Sequence, residues 1–176
     1  MLDAIRVSID SNSNLDKMIK DKLFELILIF NKKIPEMSLE RFNRLAKTVK
    51  LGRIGKYENR GTSIYDVKNN EILFSPDKLQ LDYDLDNLFM RSVLGMITST
   101  GSYSGFASSP DLNALNSAYE EILANYLVGN GEISDQEEEM IITNIIGNII
   151  GNDTLYKAYF TNNGQIILDI LNKIEE

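Results

Sequence analysis

Apolar residues recur at three- and four-residue intervals through most of this chain, and that spacing belongs to helices. From Leu15 to Phe30 the inward set is Leu15, Met18, Ile19, Leu23, Phe24 and Ile27, with helix-capping residues in Ser11–Asn14 and a stop at Pro35. A second helix is expected from Ser38, with Phe42, Leu45, Ala46 and Val49 inward and Arg41, Arg44, Lys47 and Lys50 on the polar side. Further helices are expected over Leu88–Ile97 and Leu112–Val128. Another should begin at the capping box Ser134-Asp135-Gln136-Glu137. It carries Ile141-Ile142, Ile145-Ile146 and Ile149-Ile150, which reads as a core helix; the alternative is an exposed partner-binding stripe. Asp153 and Asn163 read as caps of two final helices.

Strand signals are confined to the first half. Ile5, Val7 and Ile9 alternate with polar residues, so Ile5–Asp10 reads as a short strand. Ile64–Val67 and Ile72–Phe74 flank Asn69-Asn70, a hairpin signal because Asn tolerates positive φ. The expected fold is therefore α+β, mostly helical, with a small sheet from the first half and a helical second half. The 176 residues suit a single domain, 1–176. Within it, 1–80 holds helices plus the small sheet, 81–128 a central helical pair, and 129–176 the C-terminal helices.

Composition limits the chemistry. The chain has no Cys and no His, which excludes disulfides, thiolate nucleophiles, Ser-His-Asp catalysis and zinc sites built on His or Cys. A metal would need oxygen ligands, as magnesium, calcium and manganese accept. The start, Met1-Leu2-Asp3, is not that of a signal peptide, and the longest apolar run, Leu26–Phe30, cannot span a bilayer. The expectation is a cytoplasmic protein without a membrane partner.

The net charge of −8 is unevenly placed. Residues 1–60 carry 13 basic and 8 acidic side chains, and the remainder 5 and 18. A basic first third could meet nucleic acid, but it reads better as facing the acidic remainder of its own chain, so a nucleic-acid partner is not expected.

Several motifs fail on inspection. Asp82-x-Asp84-x-Asp86 opens like a calcium loop, yet its sixth position is Asn87 and its twelfth Val93. Gly129-Asn130-Gly131 follows a helix rather than a strand, so it is no dinucleotide fingerprint. Gly55-Lys56 and Ser75-Pro76-Asp77-Lys78 lack their companion residues. A glycosidase-like carboxylate pair stays open, since 26 carboxylates are present.

From Phe24 to Val128 the order of features resembles the small zincin-like metallopeptidase proteins of bacterial and phage genomes. The segments that carry it are Leu26–Pro35, Tyr65–Ile72, Leu88–Thr100, the loop Ser104-Gly105-Phe106, and Leu115–Glu121. In the active pattern two His on one helix turn hold zinc, the Glu between them is the base, and a later Glu is the third ligand. The resemblance places the two His positions at Arg91 and Gly95, the base at Ser92 and the third ligand at Ser117. Every one is replaced. The implied protein is a degenerate zincin-like pseudopeptidase with no cofactor and no catalytic residue. Arg91, Ser92, Gly95, Ser117 and Glu121 would line its vestigial cleft, open to a peptide or protein partner. An acidic residue one turn beyond the third ligand often orients the first His. The resemblance thus implies an ion pair between Arg91 and Glu121. The alternatives are a nucleic-acid or regulatory module using the basic first third, and a carboxylate or magnesium enzyme.

Overall fold

The computed structural model describes residues 1–53, 63–74, 85–129 and 137–175. It is α+β and mostly helical. The helices are α1 (Leu2–Asp10), α2 (Lys17–Lys33), α3 (Glu40–Ala46), α4 (Leu85–Thr98), α5 (Asn113–Val128), α6 (Glu137–Ile150), α7 (Asn152–Phe160) and α8 (Gln165–Glu175). The strands are β1 (Lys50–Arg53), β2 (Ser63–Asp66) and β3 (Glu71–Phe74). Asp82, Asp84, Gly55-Lys56, Ser75–Lys78 and the first three residues of the capping box lie outside the described residues.

The first element corrects the sequence reading, because Ile5–Asp10 is helical. Ile5 and Ile9 suit either a two-residue or a four-residue period, and Val7 decides between them. Val7 is 68% exposed, whereas Ile5 and Ile9 are fully buried, as a helix requires. Buried Asn12 then fastens α1 to the turn between α3 and β1, its Nδ2 donating to Ala46 O and Val49 O at 2.9 Å each. Asp16, not Ser11–Asn14, caps α2, its side chain accepting from Ile19 N at 2.9 Å.

The sheet comes from the first half, in order β1-β3-β2, with β1 parallel and β2 antiparallel to β3. The hairpin turns at the expected place. Asn70 takes φ +48°, and Asp66 accepts from the backbone N–H of Lys68 and Asn69. Asn70 also donates to Leu45 O at 2.9 Å, which pins the hairpin to the end of α3.

One hydrophobic cluster runs from Ile5 to Ile167, and α4 passes through it. Every residue of α4 from Asn87 to Thr98 is buried except Arg91, which is only partly exposed. A helix apolar over most of its surface belongs inside a core, and its few polar side chains must find partners there. It packs against α2, α3, β2 and, most extensively, α5. At Gly95 a Cβ would lie 3.0 Å from the Cβ and ring of Tyr65 on β2, so the missing side chain sets the approach of the sheet. Gly129 ends α5 at φ +91°.

The C-terminal helices bring a second correction. Of the six isoleucines of α6, only Ile146 is buried; Ile141, Ile142, Ile145 and Ile149 are exposed and Ile150 is intermediate. One helix face can be inside, and α6 uses Thr143, Ile146 and Gly147 for it. Gly151, rather than Asp153, occupies the cap position of α7.

Candidate functional site

A polar seam crosses the interface between α4 and α5. A guanidinium and a carboxylate meet there, with Arg91 Nη2 3.2 Å from Glu121 Oε1. Their side chains are 11% and 3% exposed. This is the ion pair expected from the sequence. Arg91 Nε donates to Asn87 Oδ1 at 3.0 Å. Asn87 Nδ2 in turn donates to Asn125 Oδ1 and Gly129 O, both at 2.8 Å. The seam thus runs from the middle of α5 to the carbonyl of Gly129 just past its end, with both ends of the buried Asn87 amide engaged.

The helical repeat explains how these residues meet. Asn87 and Arg91 are one turn apart on α4. Glu121 and Asn125 are one turn apart on α5. Polar residues on a line that faces another helix must find partners there, because an unpaired buried charge costs several kcal/mol.

Glu120, the neighbour of Glu121, points elsewhere. Its Oε1 accepts from Tyr159 Oη at 2.9 Å and, more weakly, from Asn116 Nδ2 at 3.5 Å. Burial pushes its pKa up to about 7, although the Tyr159 hydrogen bond, the charge of Arg91 and contacts from Asn116 and Ser104 pull it down. Burial also raises the Tyr159 hydroxyl well above its ordinary range. A carboxyl group held near neutrality can give and take a proton at physiological pH.

A tightly knit loop closes this end of the seam. Thr98 Oγ1 accepts from Gly105 N at 2.8 Å, and Asn116 Oδ1 accepts from Phe106 N at 2.9 Å. Asn162 Nδ2 donates to Thr98 O and Gly105 O at 2.7 and 2.8 Å. Phe106 is fully buried, and its ring centroid lies 5.9 Å from that of Tyr119 and 6.1 Å from that of Tyr159.

The five residues placed in the cleft therefore part company. Arg91 and Glu121 meet. Ser92 is buried in α4 at 1% exposure. Gly95 faces Tyr65 of the sheet, and Ser117 is exposed. Asn87 and Asn125 complete the polar seam, and Glu120 with Tyr159 makes a separate polar contact, none of them having been singled out as a site residue from sequence. Asn87 was within reach, since an Asn one turn before Arg91 on a buried helix needs a partner. Tyr159 was not, because 39 residues separate it from Glu120.

Among the described residues, no three Asp or Glu side chains converge on a point that could hold a metal ion. Several cations of the basic first third are engaged by the chain itself. Lys22 Nζ lies 2.7 Å from Asp86 Oδ1, Lys33 Nζ donates to Tyr126 O and Leu127 O at the end of α5, and Arg41 donates to Thr98 O and Asn162 Oδ1. No described helix is long and apolar enough to cross a membrane. Comparison with protein-family models, with curated proteins and with solved structures finds no match.

Proposed function

We propose that this chain is a non-catalytic binding or regulatory protein on a zincin-like scaffold, a pseudopeptidase in which an ion pair stands where an active enzyme would hold its metal. The observation that carries the reading is the Arg91–Glu121 pair. A guanidinium 3.2 Å from a nearly buried carboxylate occupies the position the resemblance assigns to the first zinc ligand and its orienting acid. The positive charge of Arg91 supplies part of what the metal would have supplied, and it repels a cation. Ser117, at the third-ligand position, faces solvent on α5, where a peptide or protein partner can reach it. The chain would act in the cytoplasm, without a cofactor. The test is a peptide-library digest with and without added zinc, beside elemental analysis of the purified protein. Neither cleavage nor stoichiometric zinc is expected; zinc-dependent cleavage lost in Glu121→Gln would overturn the proposal.

A second reading rests on Glu120. A carboxyl with a pKa of about 7, hydrogen-bonded to a tyrosine, has the properties of a general acid–base group. This reading expects a metal-independent hydrolase lost in Glu120→Gln. Screening generic ester and glycoside substrates with both proteins separates the two.

A further inference from the structure

α6 leaves most of its isoleucines in water. Ile141, Ile142, Ile145 and Ile149 are 60%, 47%, 51% and 57% exposed. Ile141, Ile145 and Ile149 are four residues apart and form one line along the helix, with Ile142 beside it. The opposite side packs inward, with Ile146 at 4% exposure and Gly147 close to Asn152 and Leu155. This face is therefore a ridge on a helix already seated on α5 and α7. Contiguous apolar surface of this kind marks interaction sites in soluble proteins.

Charge defines what fits it. The first turn of α6 is Glu137-Glu138-Glu139, and the helix has no basic residue. From Ser92 to Tyr156 the chain contains no Lys or Arg at all, while nine of its acidic residues fall there. Glu137, Glu138 and Glu139 thus give one end of the ridge an acidic rim, and α6 itself carries no cation. A second copy would bring the same acidic rim and a net charge of −8 against −8. An anionic lipid surface would also meet like charge.

We propose that this face of α6 docks a basic amphipathic helix of a partner protein. The partner's apolar stripe lies along Ile141, Ile145 and Ile149, and its Lys or Arg side chains face Glu137–Glu139. A straight four-residue ridge pairs with the matching ridge of another helix, and the acidic rim sets the sign of the partner and speeds encounter. The assignment gives the binding role a surface distinct from the Arg91–Glu121 seam, and it holds whether or not the scaffold is related to peptidases.

The probe is a fluorescein-labelled amphipathic helix of Leu and Lys, roughly 18 residues or five turns long. Its controls are a scrambled peptide of the same composition and an amphipathic peptide with Glu in place of Lys. By fluorescence anisotropy the Leu/Lys helix should bind at least about tenfold more tightly than either control, and more weakly as salt rises. Ile145→Asp and Ile149→Asp, both at exposed positions, should each weaken it about tenfold with circular dichroism unchanged. Equal binding of the scrambled peptide, or binding indifferent to both substitutions, overturns the proposal. So does a wild-type dimer dispersed by Ile145→Asp in sedimentation equilibrium, which would give the face to a second copy. Isoleucine-dependent binding to phosphatidylcholine vesicles would give it to a membrane and overturn it equally.

Discussion

The Tyr159 hydroxyl donates a 2.9 Å hydrogen bond to Glu120 Oε1, tying α7 to α5 through a carboxyl group whose pKa burial has pushed up to about 7. An ordinary glutamate titrates near 4.5. Between those two values the folded protein holds a proton that the unfolded chain has already released. Stability contributed by this group is therefore greatest at low pH and falls as pH rises from about 4.5 through 7, by about 3 kcal/mol. Glu120→Gln, which keeps an oxygen acceptor for Tyr159, should remove that decline. Thermal melts of both proteins across pH 4–8 give the difference directly. A difference that does not grow in favour of the variant as pH rises would contradict the buried-acid description.

Arg91 and Glu121 should behave as a buried pair. Arg91→Met removes the guanidinium that faces a carboxylate at 3% exposure, so a loss of about 3–5 kcal/mol is expected in urea denaturation. The double variant Arg91→Met with Glu121→Leu should recover much of that loss, because two apolar residues leave no charge uncompensated. A double variant as unstable as the single one would mean that the Asn87 hydrogen bond, not the ion pair, is what Arg91 contributes.

Gly95 marks the closest approach of β2 to α4. Gly95→Val would drive its side chain into Tyr65, whose Cβ already lies 3.0 Å from an added Cβ. Overpacking of this kind costs about 1–3 kcal/mol. Gly95→Ala should cost less, since alanine recovers up to about 1 kcal/mol of helix propensity. Calorimetric melting of the two variants checks the order, and an alanine variant less stable than the valine one would contradict it.

Asn162 sits at φ +58° between α7 and α8 and joins three segments through its side chain. Asn162→Gly keeps the backbone conformation and loses only the hydrogen bonds, for about 1–3 kcal/mol. Asn162→Ala adds the left-handed penalty of about 1 kcal/mol. Chemical denaturation should rank the native residue above glycine and glycine above alanine.

What could be read from the sequence was what depends on near neighbours. The helices at Lys17–Lys33, Leu85–Thr98 and Asn113–Val128 follow from apolar spacing, and the hairpin follows from an asparagine that accepts positive φ. The Arg91–Glu121 contact was expected from the family resemblance, not from spacing alone, and the structure brings the two side chains together. Two readings failed for a shared reason. Ile5, Val7 and Ile9 fit both a strand and a helix, and Val7's exposure settles it only after α1 has found α3. Paired isoleucines on α6 mark a wide apolar stripe, but periodicity gives no means of telling which line of it a neighbour will cover. The raised pKa of Glu120 belongs to the same class. Its carboxyl lies beside a tyrosine 39 residues away, in a space that exists only once α5, α7 and the loop before α5 have packed. Local pattern set the elements of this protein; burial and ionisation depend on long-range contacts, so the tertiary structure alone decided them.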